Sequence, residues 1–137
     1  MGGRRGQSLV EFAVVLPIFL LILAAIIDFG LGLYSQMTII NAAREGARLG
    51  VVNHNDASGV NVAEIDSRVE AMSAGLDRTR LTIGITCRHA DSSSVSCPSA
   101  DSSDDVIVKV DYQYRMLWPL ALGNSLQLSS TVQMRIE

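Results

Sequence analysis

The stretch that decides the fold is the N-terminal MGGRRGQSLVEFAVVLPIFLLILAAIIDFGLGLY (1–34). It opens with two basic residues, Arg4 and Arg5, and has no polar side chain from 12 to 27. A helix rises about 1.5 Å per residue, so residues 12–34 would span roughly 34 Å, close to the thickness of a bilayer's hydrocarbon core. The sequence therefore predicts one membrane-spanning helix over 12–34.

A secretory signal peptide and a buried core helix are the two alternatives to a membrane anchor. A signal peptide has an apolar region of about 7–15 residues, followed by small residues at a cleavage site. Here the apolar run is longer, and no Ala-x-Ala site follows it. Arg4 and Arg5 predict a cytoplasmic N-terminus, because Lys and Arg are in excess on cytoplasmic flanks. The sequence favours an anchor whose C-terminal part is exported.

Two carboxylates, Glu11 and Asp28, flank the apolar run. A carboxylate in the middle of a membrane helix costs a few kcal/mol and less near the interface, so both could lie at the two membrane surfaces. Alternatively, Glu11 pairs with a positive charge from a neighbouring subunit once the helix is packed away from water. Pro17 removes one helical hydrogen bond, which either curves the helix for packing or is simply tolerated in a membrane.

Three motifs follow one another along the first 50 residues: Gly6 with QSLVEFAVVLP (7–17), DFG (28–30) and NAAREGAR (41–48). Together they resemble the TadE-like pseudopilins of the Flp/Tad branch of the type IV pilin superfamily. The resemblance implies that prepilin peptidase cleaves between Gly6 and Gln7, so that Glu11 becomes the fifth residue of the mature chain. It also implies that Glu11, followed by Phe12, faces the N-terminal amine of an adjacent subunit.

The resemblance implies a structural minor pilin or pseudopilin of a Flp/Tad-type pilus, acting in pilus biogenesis, adhesion and surface colonisation. Its partners would be prepilin peptidase, other pilins or pseudopilins in a homo- or hetero-oligomer, and the inner-membrane Tad assembly platform. The chain would cross the inner membrane once, with its C-terminal domain periplasmic or extracellular, and would enter a cell-surface pilus after processing. It implies no enzymatic activity and no cofactor.

Two other functions remain open from the sequence. One is a major filament-forming subunit, although the size of the C-terminal body weighs against it because Flp major pilins are mostly helix. The other is an unprocessed, single-pass membrane-anchored sensor or adhesion domain. An N-terminus at Gln7 in the mature protein would separate the pilins from the unprocessed anchor.

The helical pattern continues to about residue 52 and carries a row of small residues. Ala42, Gly46 and Gly50 recur every four residues, which lets another helix or a sheet approach closely. Arg44 and Arg48 share a helix face, either solvated or in contact with a neighbouring subunit or the chain's own domain. We predict a leader over 1–6, an anchor and stalk helix over 7–52, and a globular domain over 53–137.

The globular part is predicted to be α+β. Asn61 and Glu64 resemble the capping box that begins a second helix, over 62–74, which ends at Gly75. Alternation of apolar and polar residues then predicts strands over 80–86, 106–116 and 126–136. The predicted fold is a long N-terminal helix and a second helix packed on a three-stranded antiparallel sheet.

Cys87 and Cys97 are predicted to form a disulfide, because the exported compartment is oxidising; two free thiols are the alternative. A zinc site with His89 and a distant His54 matches no usual ligand spacing, and a Cys/His nucleophile lacks an orienting acid. The acidic serine stretches 91–94 and 101–105 lack the order of a calcium-binding loop and are predicted to be solvated. The larger aromatic residues of the C-terminal part are predicted to be packing residues: Tyr112, Tyr114 and Trp118.

Composition excludes one class of partner. The 137 residues carry 11 Lys and Arg against 14 Asp and Glu, a formal net charge of −3. Nucleic-acid binding needs concentrated positive charge, and no cluster of Lys or Arg occurs along the exported part. The body is long enough for one modest core.

Overall fold

The computed structural model describes residues 3–54, 59–117 and 124–136. These residues form two α-helices and four strands, which confirms the α+β class. The helices are α1 (Gly3–Val52) and α2 (Val62–Met72), and the strands are β1 (Leu81–Arg88), β2 (Ser94–Val95), β3 (Asp105–Arg115) and β4 (Ser125–Arg135). Short 3-10 turns occur at Arg78–Arg80 and Cys97–Ser99.

The sheet has four strands where the sequence predicted three. All neighbours are antiparallel, in the order β2-β1-β3-β4. The additional strand, β2, pairs only Val95 with Cys87 and Ser94 with Arg88. A pairing of two residues is too short to show the alternation by which strands are recognised, so the sequence pattern could not reveal it.

The inner face of the sheet is the predicted one. On β3, Val106, Val108 and Val110 are fully buried, and Tyr112 and Tyr114 are nearly so. Alternate residues of β1 and β4 continue this face at intermediate burial, with Cys87, Ser130 and Ile136 buried at or near its edges. Leu126, predicted to share the face, is 45% exposed.

The C-terminal half of α1 packs on this inner face and supplies part of the core. Ile39, Ala42, Ala43 and Ala47 are completely buried there. Helix and central strand run in opposite directions, since Gly32 lies next to Tyr114 whereas Gly50 lies next to Val106. The residues assigned from sequence to the stalk thus include core residues of the globular body.

The contact between α1 and the rest of the body depends on the small-residue row. A Cβ on Gly46 would lie 2.5 Å from Val69 Cγ2 of α2, and one on Gly50 would lie 2.8 Å from Ile65 Cδ1. Both distances are well inside van der Waals contact, so Val69 and Ile65 would have to shift to accept a larger residue at these positions. Glycine normally weakens a helix by about 1 kcal/mol, and here the close packing offsets that cost.

Helix α2 begins where its cap predicts. The side chain of Asn61 accepts a hydrogen bond from the backbone N–H of Glu64 at 3.3 Å. The Glu64 carboxylate accepts from Asn53 Nδ2 at 2.7 Å, which ties the start of α2 to the end of α1. The helix ends at Met72, two residues before its predicted end, and Gly75 follows with a φ of +99°.

The sheet has two ends that differ in their relation to α1. We call the end formed by Leu81, Arg115 and Ser125 the proximal end, because it lies where the domain first meets α1. The opposite end, formed by Arg88, Asp105 and Arg135, is called the distal end. The strand registers pair Arg115 with Ser125 and Leu81 with Tyr112 toward the proximal end, and they pair Asp105 with both Arg88 and Arg135 at the distal end.

Candidate anchoring and assembly surface

The N-terminal half of α1 projects from the domain with its side chains uncovered. Between 6 and 27 every residue is exposed except Ala24, which is half-buried. Within the described residues, one helix is long and apolar enough to cross a membrane, and it is this one. The helix continues without a break through Pro17.

The residues assigned to processing and assembly lie near the start of this projecting half. Gly6, Gln7 and Glu11 are exposed within α1, and Gln7 Nε2 donates a hydrogen bond to Glu11 Oε1 at 3.2 Å. Phe12 is exposed beside them. Among the described residues, the hydrogen bond that the Glu11 carboxylate accepts comes from a neutral amide at the same surface.

Asp28 joins the projecting half of α1 to the proximal end of the sheet. Its Oδ1 accepts hydrogen bonds from the Tyr114 hydroxyl at 2.7 Å and from the Leu117 backbone N–H at 3.2 Å. The same hydroxyl lies 3.2 Å from the Asp28 carbonyl oxygen. Burial, reinforced by the Asp28 carboxylate, raises the pKa of Tyr114 to about 12, so the hydroxyl stays protonated and remains a donor.

This junction marks where the domain begins to cover the helix, and it gives Asp28 a role that sequence alone did not. The predicted span over 12–34 overlaps the domain contact from Asp28 onward, so the projecting half of α1 ends at Ile27. Tyr114 lies 86 positions along the chain from Asp28, and no local pattern relates the two residues.

An apolar stripe continues along α1 past this junction. Phe29 is 70% exposed, Leu33 is 48% exposed and Met37 is 67% exposed. They recur every four residues and therefore share one helix face, away from the domain. We call Phe29, Leu33 and Met37 the apolar stripe.

The charged residues of the stalk form an intramolecular network. Arg48 donates two hydrogen bonds to Glu45, at 2.9 and 2.7 Å, and Arg68 of α2 donates to the same carboxylate at 2.7 Å. Hydrogen bonds from Arg48 and Arg68 lower the pKa of Glu45 to about 2. Arg44 is exposed on the neighbouring position. Glu45 therefore connects the stalk with the domain through Arg68, and Arg48 pairs with the same carboxylate from within α1.

The predicted disulfide is present between Cys87 and Cys97 at the distal end. It lies in the core beside Val60 and Ala100. The Val60 N–H donates to the Cys97 carbonyl at 2.9 Å, and Gly59, with a φ of +62°, allows the chain to pass against Pro98. The disulfide thus holds the connection between β1 and β3, residues 89–104, against both β1 and the segment that precedes α2.

The buried carboxylate of Asp104 also holds the connection between β1 and β3 in place. Asp104 is 3% exposed; its Oδ1 lies 2.8 Å from His89 Nδ1 and its Oδ2 accepts from the Asp101 N–H at 2.9 Å. The hydrogen bond to Asp104 raises the pKa of His89, and the hydrogen bonds from Asp101 and His89 lower the pKa of Asp104. Each group therefore favours the charged form of the other.

The His89–Asp104 pair predicts a pH dependence of stability. Because the pKa of His89 is raised in the folded state, its contribution to stability is fully present at pH values below its ordinary pKa of 6.5. The contribution is lost as the pH rises through the pKa of the folded state. The lowered pKa of Asp104 stabilises above 3.8 and is lost on further acidification. We expect the difference in Tm between wild type and H89Q to be largest at about pH 4–6 and to shrink toward pH 8. A constant difference from pH 5 to pH 8 would contradict this prediction.

The residues considered for other chemistry are accounted for by contacts within the domain. Among the described residues, no three His, Cys, Asp or Glu side chains group as ligands for a metal ion. Cys87 and Cys97 are not thiolates, and the Asp91 carboxylate accepts from the Ser93 N–H and hydroxyl. Tyr112 and Tyr114 pack in the core, as predicted, whereas Trp118 lies outside the described residues.

Fold and surface together define a class of protein: an α+β domain built on the C-terminal half of a single long helix whose N-terminal half is apolar and exposed. Residues 6–48 match the family model described as TadE-like protein. This match confirms the resemblance of the three N-terminal motifs to that family. A comparison with curated proteins found no match. A comparison with solved structures found none either.

Proposed function

We propose that this protein is a structural minor pilin or pseudopilin of a Flp/Tad-type pilus. It is cleaved by prepilin peptidase after Gly6, resides in the inner membrane through the projecting half of α1, and passes through the assembly platform into a surface structure. The C-terminal domain lies on the periplasmic or extracellular side, where it takes part in pilus biogenesis, adhesion and surface colonisation. The TadE-like match over 6–48 and the exposed apolar helix support this assignment.

The observation that carries the proposal is the apolar stripe. Past Asp28 the domain covers one side of α1, while Phe29, Leu33 and Met37 remain uncovered on the other. Exposed apolar side chains grouped on one helix face mark an interaction surface. A neighbouring helix of another pilin or pseudopilin would cover the stripe in continuation of the helix contacts below it. An unprocessed monomeric anchor has no such neighbour.

A substitution in the stripe tests this function directly. We expect L33S/M37S to be stably produced and inserted into the membrane. Its recovery in sheared pilus fractions should fall to a small part of the wild-type amount, because its helix presents hydroxyl groups to the neighbouring helix. The matched control is T38S, a conservative change on the same stretch that keeps the hydroxyl as a donor to the Tyr34 backbone carbonyl. Wild-type recovery of L33S/M37S in the pilus fraction would count against assembly through this face.

A second test of the proposed function examines Glu11 together with cleavage by prepilin peptidase. We expect the mature wild-type chain to begin at Gln7 by mass spectrometry. We expect E11A to be inserted and cleaved but to accumulate in the membrane, since an adjacent N-terminal amine then lacks its carboxylate partner. E11D, which keeps a shorter carboxylate, serves as the control and should retain partial assembly. A native chain that still begins at Met1 would remove the processing step from the proposal.

A further inference from the structure

The proximal end of the domain contains a cationic cleft that neither the family match nor the proposed function assigns. Its cavity of about 480 Å³ is lined by Arg80, Arg115, Met116, Leu117 and Asn124. A neighbouring cavity of about 290 Å³ shares Arg80, Arg115 and Asn124. A water molecule occupies about 30 Å³ of liquid, so the larger cavity has room for a phosphate group and its hydration.

The cleft lies where the domain meets the projecting half of α1. Leu117, one of its lining residues, donates its backbone N–H to Asp28, the first residue of α1 that the domain buries. The preceding apolar residues are those with the length and composition to cross a membrane. With α1 in a bilayer, the proximal end faces the nearer leaflet and the distal end points away from it.

The lining combines positive charge with apolar surface. Leu117 is 62% exposed beside the two arginines. Among the residues that the structure describes, no carboxylate forms an ion pair with Arg115. Nε of Arg80 lies 3.2 Å from Asp77 Oδ2, and a guanidinium has further N–H donors besides Nε. Planar donors of this kind suit phosphate oxygens.

We propose that this cleft, between Arg80 and Arg115, binds the phosphate of an anionic lipid in the leaflet that the domain faces. The guanidinium groups contact the phosphate, and Leu117 contacts the interfacial region beside it. Arg and Lys at a membrane surface attract anionic lipid, and the guanidinium fork adds geometric selectivity for the phosphate. The lipid thereby holds the domain upright on the membrane before the helix is extracted. The inference rests on the membrane anchoring in the proposed function but not on cleavage or assembly.

The experiment uses the full chain in nanodiscs of equal parts phosphatidylcholine and phosphatidylglycerol, with native mass spectrometry of the lipids retained on release. We expect wild type to retain phosphatidylglycerol over phosphatidylcholine by about tenfold. R80Q/R115Q should lose that preference. R115Q alone should lose most of it with the fold intact, because Arg115 has no described ion pair to disrupt. R88Q/R135Q makes the same charge change at the distal end and should keep the wild-type preference.

Several results would overturn the lipid site. They are equal retention of both lipids by wild type, an unchanged preference in R115Q and R80Q/R115Q, and an equal loss in the distal control. Displacement of phosphatidylglycerol by millimolar inorganic phosphate would instead assign the cleft to the free anion. A shift in the dimer fraction without a change in retained lipid would assign it to a second copy of the chain. Wild type that fails to enter nanodiscs would overturn the anchor as well, whereas loss of lipid preference in an inserted chain leaves the proposed function standing.

Discussion

Replacing Asp28 with alanine is expected to lower the free energy of unfolding of the domain by about 2–3 kcal/mol. The substitution leaves the Leu117 N–H and the nearly buried Tyr114 hydroxyl without their shared carboxylate acceptor. Hydrogen bonds to charged groups are worth about 1.5–3 kcal/mol, and a buried donor left unpaired costs about 1–3 kcal/mol. The Asp28 carbonyl remains 3.2 Å from the hydroxyl and limits the loss. Urea unfolding of the full chain in detergent, followed by far-ultraviolet circular dichroism, measures the change.

Two matched variants separate the hydrogen bond from other effects of the change. D28N keeps an oxygen acceptor at the same position and should lose less than half as much stability as D28A. Y114F removes the donor, and D28A/Y114F should be less destabilised than the sum of the single variants because the two side chains share one contact. Strict additivity, or a wild-type urea midpoint for D28A, would show that the junction does not stabilise the domain.

Loss of the Cys87–Cys97 disulfide is expected to lower the free energy of unfolding by about 3 kcal/mol. The two cysteines are 10 positions apart, and closing a loop of about this length restricts the unfolded chain by that amount on the chain-entropy model. The reducing agent dithiothreitol should shift the urea midpoint of wild type downward. C87A/C97A should show the lower midpoint with or without the reductant.

The comparison of reduced wild type with C87A/C97A separates the covalent link from packing. Both cysteines are buried, so alanine also removes two sulfur atoms from the core, whereas reduction keeps them. We expect reduction of the wild type to produce most of the loss in free energy of unfolding. C87A/C97A should be somewhat less stable than the reduced wild type. An unchanged midpoint after complete reduction, verified by thiol titration, would contradict a stabilising role for the bond.

Much of the fold could be predicted because its long elements have local, periodic patterns. The uninterrupted apolar run gave α1, the Asn61 cap gave the start of α2, and alternation gave the three long strands. Strand β2 was not predicted, because a strand of two residues is too short to show an alternation of apolar and polar side chains. The end of α2 was placed too late, since Gly75 marks the turn after the helix and not the helix terminus.

The contacts that position the anchoring and assembly surface could be predicted much less well. The spacing of Gly46 and Gly50 predicted a close approach, but only the fold identifies Val69 and Ile65 as the side chains that approach. Asp28 could be recognised as an unusual carboxylate, yet its partner Tyr114 lies on a strand near the other end of the chain. Arg80, just before β1, and Arg115, at the end of β3, are likewise brought to one cavity only by the fold, so a search for runs of basic residues could not find the cleft.

The continuity of α1 from the projecting half into the core has a mechanical consequence. The helix extends over Gly3–Val52, about 75 Å at its normal rise, and the domain is attached along its side. A pull on the N-terminal end therefore loads the interface in shear, across Asp28, Ile39 and Ala47 together, instead of peeling one contact at a time. Resistance to forced unfolding is governed by the rate of unfolding, and simultaneous loading of many contacts raises that barrier. The domain can thus withstand tension along the helix axis better than tension across it.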